Sequence, residues 1–249
     1  MAAAGGIAGL GWWRKALTWD GALAATTVGT ATFHGGGLPM ASAMVCFFAT
    51  SSVLSRRRPQ AGEQAATKGS RRDAIQVAAN GGVAALACLG GQPLRGAALG
   101  AIAAAAADTW ATEIGVRSST PPRSIVSGRA LAPGESGGVT PLGWAASAAG
   151  AAAVGLAAGL AARRGVRAAL AIALPAGLIG CAVDSLLGAT LQAVYRCDAC
   201  DARTESSSHA CGRIARLERG LPWVDNDLVN LAATATGGLV GLLVSRCRR

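Results

Sequence analysis

The chain has 249 residues, 51% hydrophobic and 14% charged, with 23 basic against 13 acidic side chains and a formal net charge of +10. At roughly 20 residues per span, this length accommodates one integral-membrane domain over 1–249 and leaves no room for a second, soluble one. Nucleic acid is not the expected partner, because the arginines sit in short runs beside apolar segments, as in Arg56-Arg57-Arg58 and Arg71-Arg72, rather than in an aromatic-interleaved stripe.

The first apolar stretch, Ala2 to Trp13, is followed by Arg14-Lys15 rather than preceded by a cationic pair, which is the wrong order for a cleaved signal peptide. No long Arg/Ser-rich transit region is present, so a bacterial inner membrane is expected ahead of an organellar one. Apolar segments follow at 21–33, 38–54, 74–91, 96–116, 138–161, 168–194 and 227–245, the first short enough to be re-entrant. The fold class is therefore all-α, a polytopic bundle of about six or seven spans. Mean hydropathy is only +0.39 because alanine and glycine fill the apolar runs. Such residues suit close helix packing in lipid, and Gly155-Leu156-Ala157-Ala158-Gly159 offers a small-xxx-small face for it.

Three long loops separate these segments: a basic one from Ser55 to Arg72, a Pro/Ser/Arg one from Arg117 to Gly137, and a Cys-containing one from Tyr195 to Asp225. Alternating spans put all three on one face, which their arginines make cytoplasmic. Arg163, Arg164, Arg167 and the C-terminal Arg246, Arg248 and Arg249 run against that orientation. His34, in His34-Gly35-Gly36-Gly37, falls at an outer turn and reads as a surface residue.

Polar islands interrupt the apolar segments at Asp108 to Glu113, at Asp184-Ser185 and at Asn226 to Asn230. A carboxylate at a bilayer centre costs roughly 2.5–3.5 kcal/mol on insertion scales, so residues placed there face a polar cavity and mark function. With alternation, these islands and the Gln76/Asn80 start of another span all reach the cytoplasmic face. Asp108 and Thr112 share one helix face, as do Asn226 and Asn230. The competing reading is an interhelical hydrogen-bond network between small-residue helices.

The seven cysteines do not form a secreted disulfide framework. Cys197-Asp198-Ala199-Cys200 followed by His209-Ala210-Cys211 supplies four soft ligands, enough for a structural Zn²⁺; the alternative is reduced thiols in a loop.

Four blocks stand in order along nearly the whole chain: Asp108-Thr109-Trp110-Ala111-Thr112-Glu113-Ile114-Gly115; Glu135-Ser136-Gly137-Gly138-Val139-Thr140-Pro141-Leu142-Gly143; Asp184-Ser185-Leu186-Leu187-Gly188-Ala189-Thr190-Leu191-Gln192; and Asp225-Asn226-Asp227-Leu228-Val229-Asn230. With the lead-in Arg71-Arg72-Asp73-Ala74-Ile75-Gln76-Val77-Ala78-Ala79-Asn80-Gly81, they resemble the family of domain of unknown function 92, which holds transmembrane protein 19 and the plant phytyl-phosphate kinases. Leu17 to Ala24 also fits the start of that family, with little apolar sequence before it.

The resemblance implies a multispan enzyme that phosphorylates an isoprenoid monophosphate, phytyl phosphate in the plant members, from a nucleoside triphosphate, with CTP the expected donor. The acceptor oxygen of a phosphate monoester is already anionic, so the chemistry needs positioning and charge neutralisation rather than a base. That suits a chain with two histidines. Mg²⁺ held by one or two carboxylates plus phosphates is the expected cofactor, with Asp108, Asp184 and Asp227 as its ligands and catalytic residues. Substrate or nucleotide contacts are expected from Asn80, Thr112, Glu113, Ser136, Gly137, Gly138, Thr140, Gln192, Asn226 and Asn230. The Ser136 to Thr140 turn would offer backbone N–H groups at a helix start, or be a plain loop. Arg72 and Arg123 are candidate phosphate clamps, although positive-inside topology explains both. A cation- or proton-coupled transporter using the same Asp and Asn residues is the alternative function, and a non-catalytic assembly protein a third.

Overall fold

The computed structural model describes residues 1–56, 71–162 and 165–248; the basic loop at 57–70, with Arg57 and Arg58, as well as Arg163, Arg164 and Arg249, lie outside the described residues. In chain order the elements are α1 (Ala2–Trp13), α2 (Trp19–Arg56), α3 (Ala74–Leu89), α4 (Arg95–Gly115), β1 (Arg123–Ser124), β2 (Gly138–Val139), α5 (Pro141–Ala161), α6 (Val166–Thr190), β3 (Val194–Cys197), β4 (Ala202–Thr204), β5 (Arg216–Arg219) and α7 (Asn226–Cys247).

The α2 range is a hairpin of two arms. Gly37 adopts φ +65° and ψ −162°, which no helix contains, and Pro39 follows it, so the chain reverses there. Gly81 of α3 faces Val28 of the first arm and Met44 of the second, which sets both arms alongside the same helix. The Thr18 N–H donates to the Arg72 carbonyl at one end of α3 (3.0 Å), and Gly35 lies on the Cys88 backbone at the other. The first arm therefore runs the whole length of α3, about 27 Å at 1.5 Å per residue, and is a full pass rather than a re-entrant turn. The α1 helix lies along this arm, with Gly5 against Thr26 and Gly29 against Ala4. At 12 residues it spans about 18 Å, short of a hydrocarbon core of about 30 Å.

The ranges of α2, α5, α6 and α7 are each long and apolar enough to cross a membrane, and α3 is a shorter apolar helix. The polar-ended α4 is the hub, packed against α2, α3, α5, α6 and α7. Ala98 to Ala107 is buried without interruption. A helix surrounded by protein needs no large lipid-facing side chains, and its small ones let neighbouring backbones come close. A Cβ on Gly100 would stand 2.2 Å from the Gly237 carbonyl oxygen of α7, and one on Gly241 2.2 Å from that of Gly96. The Gly155/Gly159 face serves as expected, meeting Ala173 and Val166 of α6.

Two loops hold short antiparallel strands. β1 pairs with β2 (Arg123↔Val139), and β4-β3-β5 forms a three-stranded sheet with Tyr195↔Thr204 and Val194↔Arg219 in register. The strands explain the shifted helix ends. The segment expected from 138 starts at Pro141, because Gly138-Val139 is paired in β2 and Thr140 caps α5 by accepting the Gly143 N–H (2.9 Å). The segment expected to reach 194 stops at Thr190, ahead of β3.

The loops at 117–137 and 195–225, the link at 14–18 and residues 71–73 gather at one end of the bundle. The turns at 35–39 and 89–95, the end of α5, the start of α6 and the end of α7 lie at the other. Trp12, Trp13, Trp19 and Trp223 are exposed at the first end, where amphipathic rings mark a membrane–water boundary.

Candidate functional site

A cavity of about 890 Å³ opens among the loops at this end and reaches down to Asp108, Cys181 and Asp184. Each wall follows from local sequence. On α4, Asp108 and Thr112 stand one turn apart, and Thr109 satisfies its hydroxyl on the Ala105 carbonyl (2.9 Å). α6 runs beside α4 and brings Asp184, Ser185 and Gly188 level with them. α7 begins at the cavity: Asp225 caps it by accepting the Leu228 N–H (2.9 Å), which leaves Asn226, Asp227 and Asn230 on the wall. α3 opens with a capping box between Asp73 and Gln76, and Asn80 follows one turn later. The Asn80 and Asn230 amides each donate to the carbonyl four residues earlier, Gln76 (3.0 Å) and Asn226 (2.9 Å), and both residues line the cavity.

The electrostatics are one-sided. Asp108, Glu113, Asp184, Glu205 and Asp227 line the cavity in a chain of net charge +10, and Arg72 is the arginine among its described lining residues. Asp108 of α4 and Asp184 of α6 line the same cavity, and each bears on the charge of the other. Glu113 is 7% exposed and accepts from the Ser55 hydroxyl through Oε1 (2.8 Å). Its Oε2 and the Oδ1 of Asp184 are buried without a hydrogen-bond partner among the described residues. A buried carboxylate oxygen left so is costly, and a cation is the partner that would satisfy it. Arg72 lies in the field of Glu113, with its guanidinium 5.9 Å from the centre of the Phe47 ring.

The rim is the Glu135 to Gly138 turn, laid on the end of α6. Gly137 has φ +83°, and a Cβ there would stand 2.5 Å from Ala189 Cα, so this approach requires glycine. The Ser136 hydroxyl donates to Glu205 Oε1 (2.5 Å), as does Gln192 Nε2 (2.9 Å). Arg219 clamps the turn through the Ser136 carbonyl (3.0 Å) and the Ala189 carbonyl (2.5 Å).

Most residues singled out in the sequence thus meet in one cavity: Arg72, Asn80, Asp108, Thr112, Glu113, Ser136, Gly137, Gly138, Thr140, Asp184, Gln192, Asn226, Asp227 and Asn230 all line it. Three details differ from expectation. Arg123 is outside it, exposed, and donates to the Gly128 carbonyl (2.9 Å), because pairing in β1 turns it toward its own loop. Within the Ser136 to Thr140 turn the Gly138 N–H is already used, donating to the Glu135 carbonyl (3.1 Å). Asp108, Asp184 and Asp227 share the cavity, but the group of three or more ligands that stands together among the described residues is the Cys/His one.

Glu205 and Ser55 are the side chains that sequence reasoning missed. Glu205 follows β4 in a loop without periodicity, and only the sheet register carries it to Ser136. Neither histidine lines the cavity. His34 is exposed at the far turn, as read, and His209 belongs to the cysteine group.

In that group Cys197 Sγ stands 3.7 Å from Cys211 Sγ, and His209 Nδ1 stands 3.1 Å from Cys211 Sγ. The imidazole beside it holds Cys211 down at about 6, while hydrogen bonding to Cys211 pushes Cys200 up to about 11.

The family described as Integral membrane protein DUF92 matches residues 2–238. The chain is also similar to "Protein PGR" of Arabidopsis thaliana, 29% identical over 211 residues, which are 72% of this chain and 73% of that protein. No solved structure matches it.

Proposed function

The chain belongs to the DUF92 family of integral membrane proteins, and on that premise we propose that it is a membrane-embedded prenyl monophosphate kinase. It transfers the terminal phosphoryl group of a nucleoside triphosphate, CTP by the family resemblance, to a phytyl-type monophosphate, giving the diphosphate. The observation that carries the reading is the acidic cavity at the membrane boundary, lined by Asp108 and Asp184, where Glu113 Oε2 and Asp184 Oδ1 are buried without a hydrogen-bond partner among the described residues. A reaction between two phosphates must screen their mutual repulsion, and carboxylates concentrated at the meeting point do so only by holding cations.

The residues fit Mg²⁺, which takes one or two carboxylates and completes its shell with water and phosphate oxygens. Asp108 and Asp184 would hold it, with Asp227 across the cavity. When bound, it neutralises the charge that develops on the transferred group. The chain does the rest. Arg72 pairs with an incoming phosphate, held against Phe47 and near Glu113. Amide oxygens of Asn80 and Asn230 accept from the nucleotide. Ser136, fixed by Arg219 and Glu205, closes the rim over the phosphates and limits water at the reacting centre. An oxygen of the acceptor phosphate bonds to the terminal phosphorus as the bond to the leaving nucleoside diphosphate breaks. The acceptor is already an anion, so no base is needed, in keeping with a cavity without histidine.

Beyond Asp108, the bundle is packed solid around Ala98 to Ala107, which supports a one-ended site over a transport path. The cavity end carries Arg14, Lys15, Arg56, Arg71 and Arg72, so it is read as the cytoplasmic side. Purified protein in detergent, given Mg²⁺, each nucleoside triphosphate in turn and a series of prenyl monophosphates, should release nucleoside diphosphate only when both substrates are present. Folded protein that releases none with any pair would refute the proposal and favour the transporter.

A further inference from the structure

We propose that Cys197, Cys200, His209 and Cys211 bind one structural Zn²⁺ that staples the β4-β3-β5 cap and so holds Glu205 at the mouth of the cavity. The metal site itself does not depend on the phosphoryl-transfer reading.

The geometry is that of a closed tetrahedral site. All four ligand atoms lie within 4.8 Å of one another. Zn–S bonds of about 2.3 Å at tetrahedral angles place two sulfurs about 3.8 Å apart, and Cys197 Sγ and Cys211 Sγ are 3.7 Å apart. A disulfide would need about 2.05 Å. Two tight turns supply the ligands. Cys197 ends β3, and the Cys200 N–H donates back to its carbonyl (3.3 Å), so the CxxC pair straddles the β3–β4 reversal. A second reversal, with the His209 N–H on the Arg213 carbonyl (2.9 Å) and the Ala215 N–H on that of Ser207 (2.8 Å), returns His209 and Cys211 to the first. Four protein ligands leave no open position, so the ion is structural rather than catalytic.

The cap also lacks a hydrophobic core of its own. Between residues 195 and 219 only Cys197, Thr204 and Ala215 are buried, and Ile214 is 88% exposed. Strands of three and four residues without a hydrophobic core need a staple. What the staple holds is specific. Cys197 pairs with Ala202 and Tyr195 with Thr204. Glu205, the next residue, then accepts from Ser136 and Gln192, while Arg203 bonds Glu135 (2.7 Å). Metal bound at one end of the hairpin fixes the cavity rim at the other.

Full-length protein carrying a tag without histidine, purified in detergent without chelator, is to be assayed by plasma mass spectrometry for metal. About one zinc per chain is expected, falling about tenfold or more in Cys200→Ser and Cys211→Ser and unchanged in Cys247→Ser. Because a ligand variant can misfold, the wild type is also reconstituted with Co²⁺, which should show the strong visible bands of a tetrahedral thiolate site. Chelation should raise hydrogen exchange in residues 195–219 ahead of the helices. Folded wild type with little zinc and no cobalt bands would overturn the proposal. So would ligand variants that keep their zinc, or a Cys197–Cys211 disulfide mapped in protein handled without oxidant.

Discussion

Replacing Asp184 by asparagine should make the metal-free protein more stable while removing its turnover. The side chain shares the cavity with Asp108, feels the charge of Glu205, and has one buried oxygen without a hydrogen-bond partner among the described residues. Asparagine keeps its shape and removes the charge. A carboxylate in mid-membrane costs about 2.5–3.5 kcal/mol, and the open cavity lowers this, so about 1–3 kcal/mol should be recovered. At about 2–4 °C per kcal/mol for a chain of this size, the metal-free midpoint should rise by a few to about 10 °C. Intrinsic tryptophan fluorescence in detergent with EDTA measures it. Adding Mg²⁺ should then raise the wild-type midpoint and leave Asp184→Asn nearly unmoved, because binding to the folded state is what stabilises it. A variant that melts below the wild type in EDTA, or that gains as much from Mg²⁺, would show that Asp184 is a structural partner and not a cation ligand.

Other consequences can be read from the same structure. Gly100→Ala drives a methyl into the Gly237 backbone and should cost about 1–3 kcal/mol in a thermal melt, whereas Gly82→Ala, with open space at its Cβ, should be neutral or stabilising. Arg72→Ala should lower turnover about 10²-fold, while Arg123→Ala, which touches only its own loop, should leave initial rates near wild type. Glu205→Ala should open residues 195–219 to limited proteolysis, and Glu205→Gln should do so much less, since its amide oxygen still accepts from Ser136 or Gln192. Arg203 holds Glu218 below the ordinary glutamate value of 4.5, so its contribution is full above that value and fades as pH falls through the lowered one. Hydrogen exchange of the cap should accordingly rise in mildly acidic buffer below that value and not near neutrality.

The polar islands were legible because helical spacing and the cost of a membrane carboxylate both bear on a single segment. Asp108 and Asp184 each stood out alone, and alternation carried both to one face, yet their meeting required knowing that α6 packs directly against α4, which no local pattern encodes. The two arms of α2 could be separated at the Gly35 to Gly37 run, but a short apolar segment reads equally as re-entrant until Cys88 and Arg72 fix its two ends. The strands were hidden because two to four residues carry too little alternation to detect. Glu205 was lost with them, since its place depends on the β3–β4 register. Arg123 misled for the same reason: a basic residue near prolines resembles a phosphate clamp, and only pairing with Val139 turns it away.

The most direct test compares wild type, Asp108→Asn and Asp184→Asn for prenyl diphosphate by mass spectrometry, with CTP, Mg²⁺ and phytyl phosphate, each protein first shown to be folded. The expected result is diphosphate from the wild type and about 10²-fold less or none from either variant. Wild-type yields from both variants would contradict the assignment of phosphoryl transfer to this carboxylate pair.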